Sequence, residues 1–185
     1  MARTAETDRA AMLDAALSII EENGRDALTA RALADRLGIS TQPIYREFSD
    51  MAGLRAAAAE RGFGVFAEHV KGDALDSAVG YVTFALERRG LFDFLFRGRN
   101  CRYDGLDDLT HKLVGTEIID RLAAITGLSV ERTYRLHLFV WMTLHGLASM
   151  TADNVLPLCG GEIRELVKEL TGALAAYYKE KDGTS

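Results

Sequence analysis

The sequence predicts an all-α fold in two parts. Alanine and leucine abound along the 185 residues while β-branched runs are scarce, a composition that favours helices. Only two prolines interrupt the chain, and 48% of it is hydrophobic. That is enough for one sizeable core or for a small domain plus a medium one. Apolar residues recur at i, i+3 and i+4, the period of a helix face. We expect a three-helix head over residues 1–50 and a larger helical body over 51–185.

Asp8 to Asn23 reads as the first helix. Met12, Ala15, Ala16, Ile19 and Ile20 line one face, Thr7 or Asp8 can cap it, and Asn23-Gly24 ends it. Residues 28–48, LTARALADRLGISTQPIYREF, read as two short helices joined by a tight turn. Thr29 can cap the first by accepting from its unpaired amides. Leu33 and Leu37 share a face. Gly38 ends the helix because glycine takes the left-handed conformation at no steric cost. Ile39 re-enters the core. Ser40 can cap the second helix, and Pro43 falls in its first turn, where a missing N–H costs nothing. Ile44 and Phe48 form the next apolar pair.

Ala34, Gly38 and Ile44 are the skeleton of a helix-turn-helix. Ala34 lets the helices approach, Gly38 makes the turn, and Ile44 plugs the second helix onto the first. Thr41, Gln42, Tyr45 and Arg46 then face outward. Gln pairs with adenine, Arg with guanine, and the Thr and Tyr hydroxyls with phosphate. The plainer reading of this stretch by itself is a helical hairpin with a polar surface.

Charge narrows the partners. The net charge is −5, and residues 1–54 hold six Lys/Arg against nine Asp/Glu, a net −3. That argues against a strong nonspecific grip on DNA, which comes from phosphate neutralisation. A specific grip stays open, since local placement outweighs the sum. Cys101 and Cys159 are too few and too far apart for a disulfide scaffold or a zinc site. We expect two buried free thiols in a reducing cytoplasm. The opening MARTAETDRA lacks the apolar core of a signal peptide. The longest run without Asp, Glu, Lys or Arg is Leu136–Ala152, 17 residues that include His137, Thr143, His145 and Ser149. It is short and polar for a membrane span, so a buried helix is expected.

Asp50 can cap the next helix, which runs to about Lys71 with Leu54, Ala57, Ala58, Phe63, Phe66 and Val70 on its buried side. Gly62 and Gly64 weaken it by roughly 1 kcal/mol each against alanine. They are either packing tolerance or a softer joint between the two parts. Asp73 to Arg89 reads as a helix with Leu75, Val79, Val82, Phe84, Ala85 and Leu86 apolar. In RRGLFDFLFRGRNCRYDG, Arg88, Arg89, Arg97, Arg99 and Arg102 alternate with Phe92, Phe94, Phe96 and Tyr103. Such a mix can bind anions or single-stranded nucleic acid. The plainer reading is aromatics inward and arginines in solvent. A sharper one has an arginine or two at a pocket mouth, holding an acidic ligand by bidentate pairing.

Leu106 to Thr126 carries a stripe of Leu109, Leu113, Val114, Ile118, Leu122 and Ile125, closed by Gly127. Ser129 starts the next helix, Val130 to Asp153, the most apolar of the chain. A helix apolar nearly all round is buried on both sides, which suggests a partner subunit. Its His137 and His145 either bond a ligand carbonyl or sit satisfied in the core. No Cys or carboxylate joins them at ligand spacing, so no metal site is expected. Pro157 and Gly160-Gly161 make the last turn. Glu162 to Lys181 forms the final helix, with Ile163, Leu166, Val167, Leu170, Leu174 and Tyr177 inward, and Lys179–Ser185 frays. These last two helices can supply half of an intersubunit four-helix bundle.

The run AALSIIEENGRDALTARALADRLGISTQPIYREFSDMAGL resembles the N-terminal domain of the TetR family of bacterial transcriptional regulators. The shared elements, over about 45 residues, are an Ala-Ala-rich first helix ending in Gly and a Leu-Thr cap. LADRLGIS, then Tyr45 to Phe48, then Leu54 follow in order. WMTLHGLASM resembles the Trp-x-x-x-His-Gly pattern of one branch's C-terminal domain. The resemblance implies an all-helical, homodimeric, ligand-responsive repressor on a palindromic operator. It implies a small-molecule effector; no membrane partner and no cofactor are expected.

Carried over by position, Arg31 contacts bases or phosphate, and Thr41, Gln42 and Arg46 face the major groove. Tyr45 matches the usual phosphate-binding tyrosine. Thr29 and Ser40 match capping positions that also approach the backbone, and Pro43 completes the expected DNA-binding set. Two positions depart from the family. It commonly has Tyr or His where Glu47 stands and Lys where Met51 stands, and both usual residues touch phosphate. A glutamate there repels phosphate, and losing a lysine removes about one released counterion. Either Glu47 points away, or binding is weaker and less salt-dependent. The rival is a TetR-like ligand- or protein-binding dimer with weakened or lost DNA binding. The effector-pocket candidates are Phe84, Phe92, Phe96, Tyr103, His111, Trp141 and His145. The dimer candidates are Trp141, Leu144, Leu147, Met150, Leu166, Leu170 and Leu174. Without a Gly-rich phosphate loop, a nucleophile beside a base or a metal set, no catalytic residue and no enzyme activity are expected.

Overall fold

The computed structural model describes residues 9–97 and 116–183. Every regular element in them is helical. In chain order these are α1 (Arg9–Asn23), a 3-10 turn (Arg25–Ala27), α2 (Ala30–Leu37), α3 (Gln42–Phe48), α4 (Met51–His69) and α5 (Ala74–Glu87). Then come α6 (Arg89–Phe96), α7 (Thr116–Thr126), α8 (Val130–Ala152) and α9 (Gly160–Gly183). No helix among the described residues is long and apolar enough to cross a membrane. Two compact units emerge: one runs to His69 and resumes at Glu87 to include α6, and the other holds Val70–Leu86 with α7, α8 and α9.

In the first unit α1 is the hub, packed against α2, α4 and α6. Its buried face is Met12, Ala16, Leu17, Ile19 and Ile20, so Leu17 replaces the expected Ala15, which is half-buried. The cap expected from Thr7 or Asp8 lies outside the described residues. The expected single helix over Asp73–Arg89 instead stops at Glu87, and a new one starts at Arg89. The break is tertiary in origin. Arg88 turns to place its Nε 3.2 Å from Glu21 Oε2. Gly90 then lies so close to α1 that a Cβ there would fall 2.6 Å from the Ile20 carbonyl oxygen. Leu91, Phe92, Phe94 and Leu95 of α6 are buried as a result. On α4, Leu54, Ala57 and Ala58 are buried as expected, but Phe63 is 45% exposed. It and Phe66 instead meet Phe96 edge-on, at 5.7 and 5.0 Å between ring centroids.

In the second unit, Asp73 Oδ1 accepts from the amides of Leu75 and Asp76, both at 2.8 Å, and so starts α5. Ala78, Tyr81, Val82, Phe84 and Ala85 are its buried face, while Leu86, expected inside, is exposed. Ser129 caps α8 by accepting from Arg132 N. Cys159 donates its amide to Glu162 Oε2 at 2.8 Å, so α9 starts two residues earlier than expected. That bond holds the Glu162 carboxyl below the usual carboxylate range. Cys159 itself is exposed, against the expectation of a buried thiol, and Cys101 lies outside the described residues. Leu128, Leu136 and Tyr178 form one buried cluster. Tyr178, and not Tyr177, is the tyrosine that α9 turns inward, because the helix is rotated to seat Ile163 and Val167. Arg164 forms an ion pair with Asp76, tying α9 to α5. Of the Leu106–Thr126 expectation only α7 is described. There Ile119 is buried, and Ile125, expected on the apolar stripe, is 79% exposed. Leu109, Leu113 and Val114 lie outside the described residues.

Candidate nucleic-acid interface

The helix-turn-helix is built from local bonds. Thr29 Oγ1 accepts from Ala32 N at 3.1 Å and caps α2. Gly38, at φ 66° and ψ 33°, closes it. The next amide, Ile39 N, bonds back to the Ala34 carbonyl at 3.0 Å, which satisfies a carbonyl that the helix end leaves open. Ile44 is 1% exposed and Phe48 is buried, so α3 is pinned to the unit through two side chains at i, i+4. The start of α3 differs from expectation. Thr41, not Ser40, holds the cap position, in helical conformation and with no side-chain cap bond. Pro43 in the first turn has no N–H to satisfy, so the helix start does without a hydroxyl. Asp50 caps α4 as expected, its Oδ1 accepting from Gly53 N at 2.7 Å.

Thr29, Arg31, Ser40, Thr41, Gln42, Tyr45 and Arg46 are all exposed, with Pro43 half-buried among them. The charges around them are sorted. Arg36 forms a two-pronged pair with Glu22 at 2.9 and 2.6 Å, which lowers the Glu22 pKa from its ordinary value. Arg61 pairs with Asp14, Arg88 with Glu21, and Arg25 reaches Asp26 at 4.0 Å. Arg55 donates to the Leu28 carbonyl. Among the described residues, Arg31 and Arg46 have no hydrogen-bond or ion-pair partner. The acidic side chains behind the net −3 are thus largely spent on internal pairs. The two uncommitted guanidinium groups sit on the exposed surface of α2 and α3, where they can meet phosphates or base edges.

Glu47 does not stand alone either. Arg9 Nη1 donates to its Oε1 at 3.0 Å. Sequence reasoning missed Arg9, because nothing local links residues 38 apart. Met51 is half-buried at the start of α4.

The head and the body each match a family model. Residues 12–58 match the model of bacterial regulatory proteins of the tetR family, and residues 74–174 match the tetracyclin repressor-like C-terminal domain. The chain belongs to the TetR family. Its α2–α3 unit is therefore a DNA-binding helix-turn-helix, and the molecule has the architecture of a TetR-family transcriptional regulator. No curated protein matches the chain at sequence level. Among solved structures, a protein of unknown function from Rhodococcus sp. RHA1 is 23% identical with a TM-score of 0.65, covering 92% of this chain and 94% of that one. A TetR variant from Acinetobacter baumannii AYE, solved in complex with minocycline, is 17% identical with a TM-score of 0.62, covering 92% and 98%. At these identities the likeness is one of fold.

The described effector-pocket candidates are divided between the two units. Trp141 and His145 stack in the second unit, with ring centroids 5.1 Å apart. Tyr81 joins them, its hydroxyl 3.1 Å from His145 Nδ1. Phe84 is fully buried in the same unit. Phe92 and Phe96 belong to the first unit and pack against each other at 5.5 Å. Tyr103 and His111 lie outside the described residues. Tyr81 was legible in principle. It falls at helical spacing with Ala78, Val82 and Ala85, and a buried tyrosine needs a partner for its hydroxyl. Of the dimer candidates, Met150 and Leu166 are exposed in the single chain, Trp141, Leu147, Leu170 and Leu174 are half-buried, and Leu144 is buried within the subunit.

Proposed function

We propose that this chain is a cytoplasmic, homodimeric repressor that binds a palindromic operator and releases it when a small molecule binds the body. Residues 1–50 form the DNA-binding head and 51–185 the effector-binding and dimerisation part. Thr29, Arg31, Ser40, Thr41, Gln42, Pro43, Tyr45 and Arg46 make the DNA contacts. The observation that carries the reading is the pair of uncommitted arginines, Arg31 and Arg46, beside exposed Gln42 and Tyr45 on the helix-turn-helix of a TetR-family chain.

Dimerisation is supported by the exposed apolar side chains of α8 and α9, Phe139, Met142, Met150, Leu166 and Tyr177. Exposed apolar side chains of that kind favour burial against a second copy. Two heads then read half-sites about one helical turn apart, roughly 34–36 Å. Effector binding is supported by the Tyr81–His145–Trp141 cluster and by the minocycline complex of a protein with the same fold. An effector that prefers the conformer whose heads mismatch the half-site spacing lowers DNA affinity by that differential affinity. Regulation, not catalysis, is the activity. The Arg9–Glu47 pair weakens the rival of a lost DNA function, since Glu47, one of the features that motivated it alongside Met51 and the acidic balance, faces a cation.

The test is selection from random duplexes with purified protein at low salt, followed by a salt titration. Recovery of a palindrome whose affinity falls with salt supports the reading. A folded dimer that enriches no motif overturns it.

A further inference from the structure

Arg9 is the first residue of α1, and it makes two contacts with consecutive residues of α3. Its Nη1 donates to Glu47 Oε1 at 3.0 Å, and its guanidinium carbon lies 4.8 Å from the centre of the Phe48 ring. Phe48 is buried, while Glu47 is exposed and follows Arg46 on the helix that carries Gln42 and Tyr45. Both contacts fall in the last turn of α3, where a helix end carries partial negative charge and a cation is favoured.

We propose that Arg9 is a positioning residue for DNA recognition. It cancels the Glu47 carboxylate and clamps the C-terminal end of α3 to the start of α1, so that Arg46 and Gln42 meet DNA from a helix that presents no net negative charge at that end. This inference rests on the DNA-binding reading above. A carboxylate on a helix that docks against phosphates is repelled by them at any angle of approach, and the repulsion is strongest at low salt. A paired carboxylate presents a dipole, whose field falls off faster with distance. The ring contact adds orientation, because the guanidinium is held over Phe48 while its Nη1 donates to Glu47.

The experiment uses the full chain and the duplex that wild type selects. Arg9→Gln keeps much of the stem over Phe48 and removes the charge, so the fold is retained, as far-UV circular dichroism and the melting temperature check. We expect Arg9→Gln to weaken binding about fivefold, the effect of one bare unit charge at close range in water. Glu47→Gln alone leaves affinity equal or tighter. In the Glu47→Gln background Arg9→Gln costs less than about twofold, the non-additivity of a directly coupled pair. Arg9→Lys restores affinity to within about twofold in the otherwise wild-type chain, since it restores the charge. A role confined to stability would move the melting temperature and leave this pattern of affinities flat, which overturns the proposal. An equal loss in both backgrounds, with a salt slope lowered by about one, shows that Arg9 contacts phosphate itself and also overturns it. If wild type selects no duplex, the DNA-binding reading falls first and takes this inference with it.

Discussion

His145 lies nearly parallel to Trp141, with ring centroids 5.1 Å apart and planes 20° apart, and its Nδ1 meets the Tyr81 hydroxyl at 3.1 Å. The contact joins α5 to α8 within one unit. Trp141 is the only tryptophan in the chain, so its emission reports on this stack alone. We expect any small molecule that releases the protein from DNA to shift or quench that emission in a saturable way. Release with unchanged emission would place the pocket away from Trp141.

His137, also on α8, is half-buried, and burial lowers its pKa from the ordinary imidazole value. Near pH 6.5 the unfolded chain holds more protons at this site than the folded one, so stability falls as pH drops through that value. The fall ends below the depressed folded-state value. Urea unfolding at about pH 7.5 and about pH 5.5 should show a smaller pH difference in His137→Gln than in wild type. Equal differences would mean that His137 titrates freely.

Gln42→Ala and Arg31→Ala should each weaken specific binding by about 1–3 kcal/mol if they reach base edges. Binding to unrelated duplexes should change less for Gln42→Ala, which carries no charge. Operator affinity unaltered in both variants would show that the recognition surface has been assigned to the wrong residues.

Met51 begins α4 and is half-buried. Met51→Lys adds a cation at the α4 start, and we expect tighter operator binding with a salt slope steeper by about one. A flat response would mean that this position does not face phosphate.

Gly62 and Gly64 of α4 separate packing from flexibility. A Cβ on Gly62 would stand 3.2 Å from Leu95 Cδ2, whereas one on Gly64 meets nothing within 4 Å. Gly64→Ala should therefore stabilise the fold by about 0.5–1 kcal/mol, and Gly62→Ala by less, because Leu95 must give way. If Gly64 serves as a soft joint, the stabilised Gly64→Ala protein will bind DNA normally but release it poorly on effector addition. Normal release would leave α4 as an ordinary helix.

What the sequence determined by itself were features set within a few residues. The Thr29 cap, the left-handed Gly38 and the Asp50 and Ser129 caps follow from residues acting on their own turn of backbone, and the i, i+4 pairing of Ile44 and Phe48 follows from helical spacing. So does the helix-turn-helix that they build, which is why that part of the site was legible. The departures arise where distant chain segments meet. The break at Arg88 comes from α6 pressing on α1, and the exposure of Phe63 from where α6 lies along α4. Tyr178 replaces Tyr177 inside because α9 is rotated by the seating of Ile163 and Val167. The pairing of Glu47 with Arg9, and of His145 with Tyr81 64 residues away, belongs to the same class. Helical periodicity tells which residues share a face, but which face turns inward, and which charge finds a partner, is decided only when the helices pack.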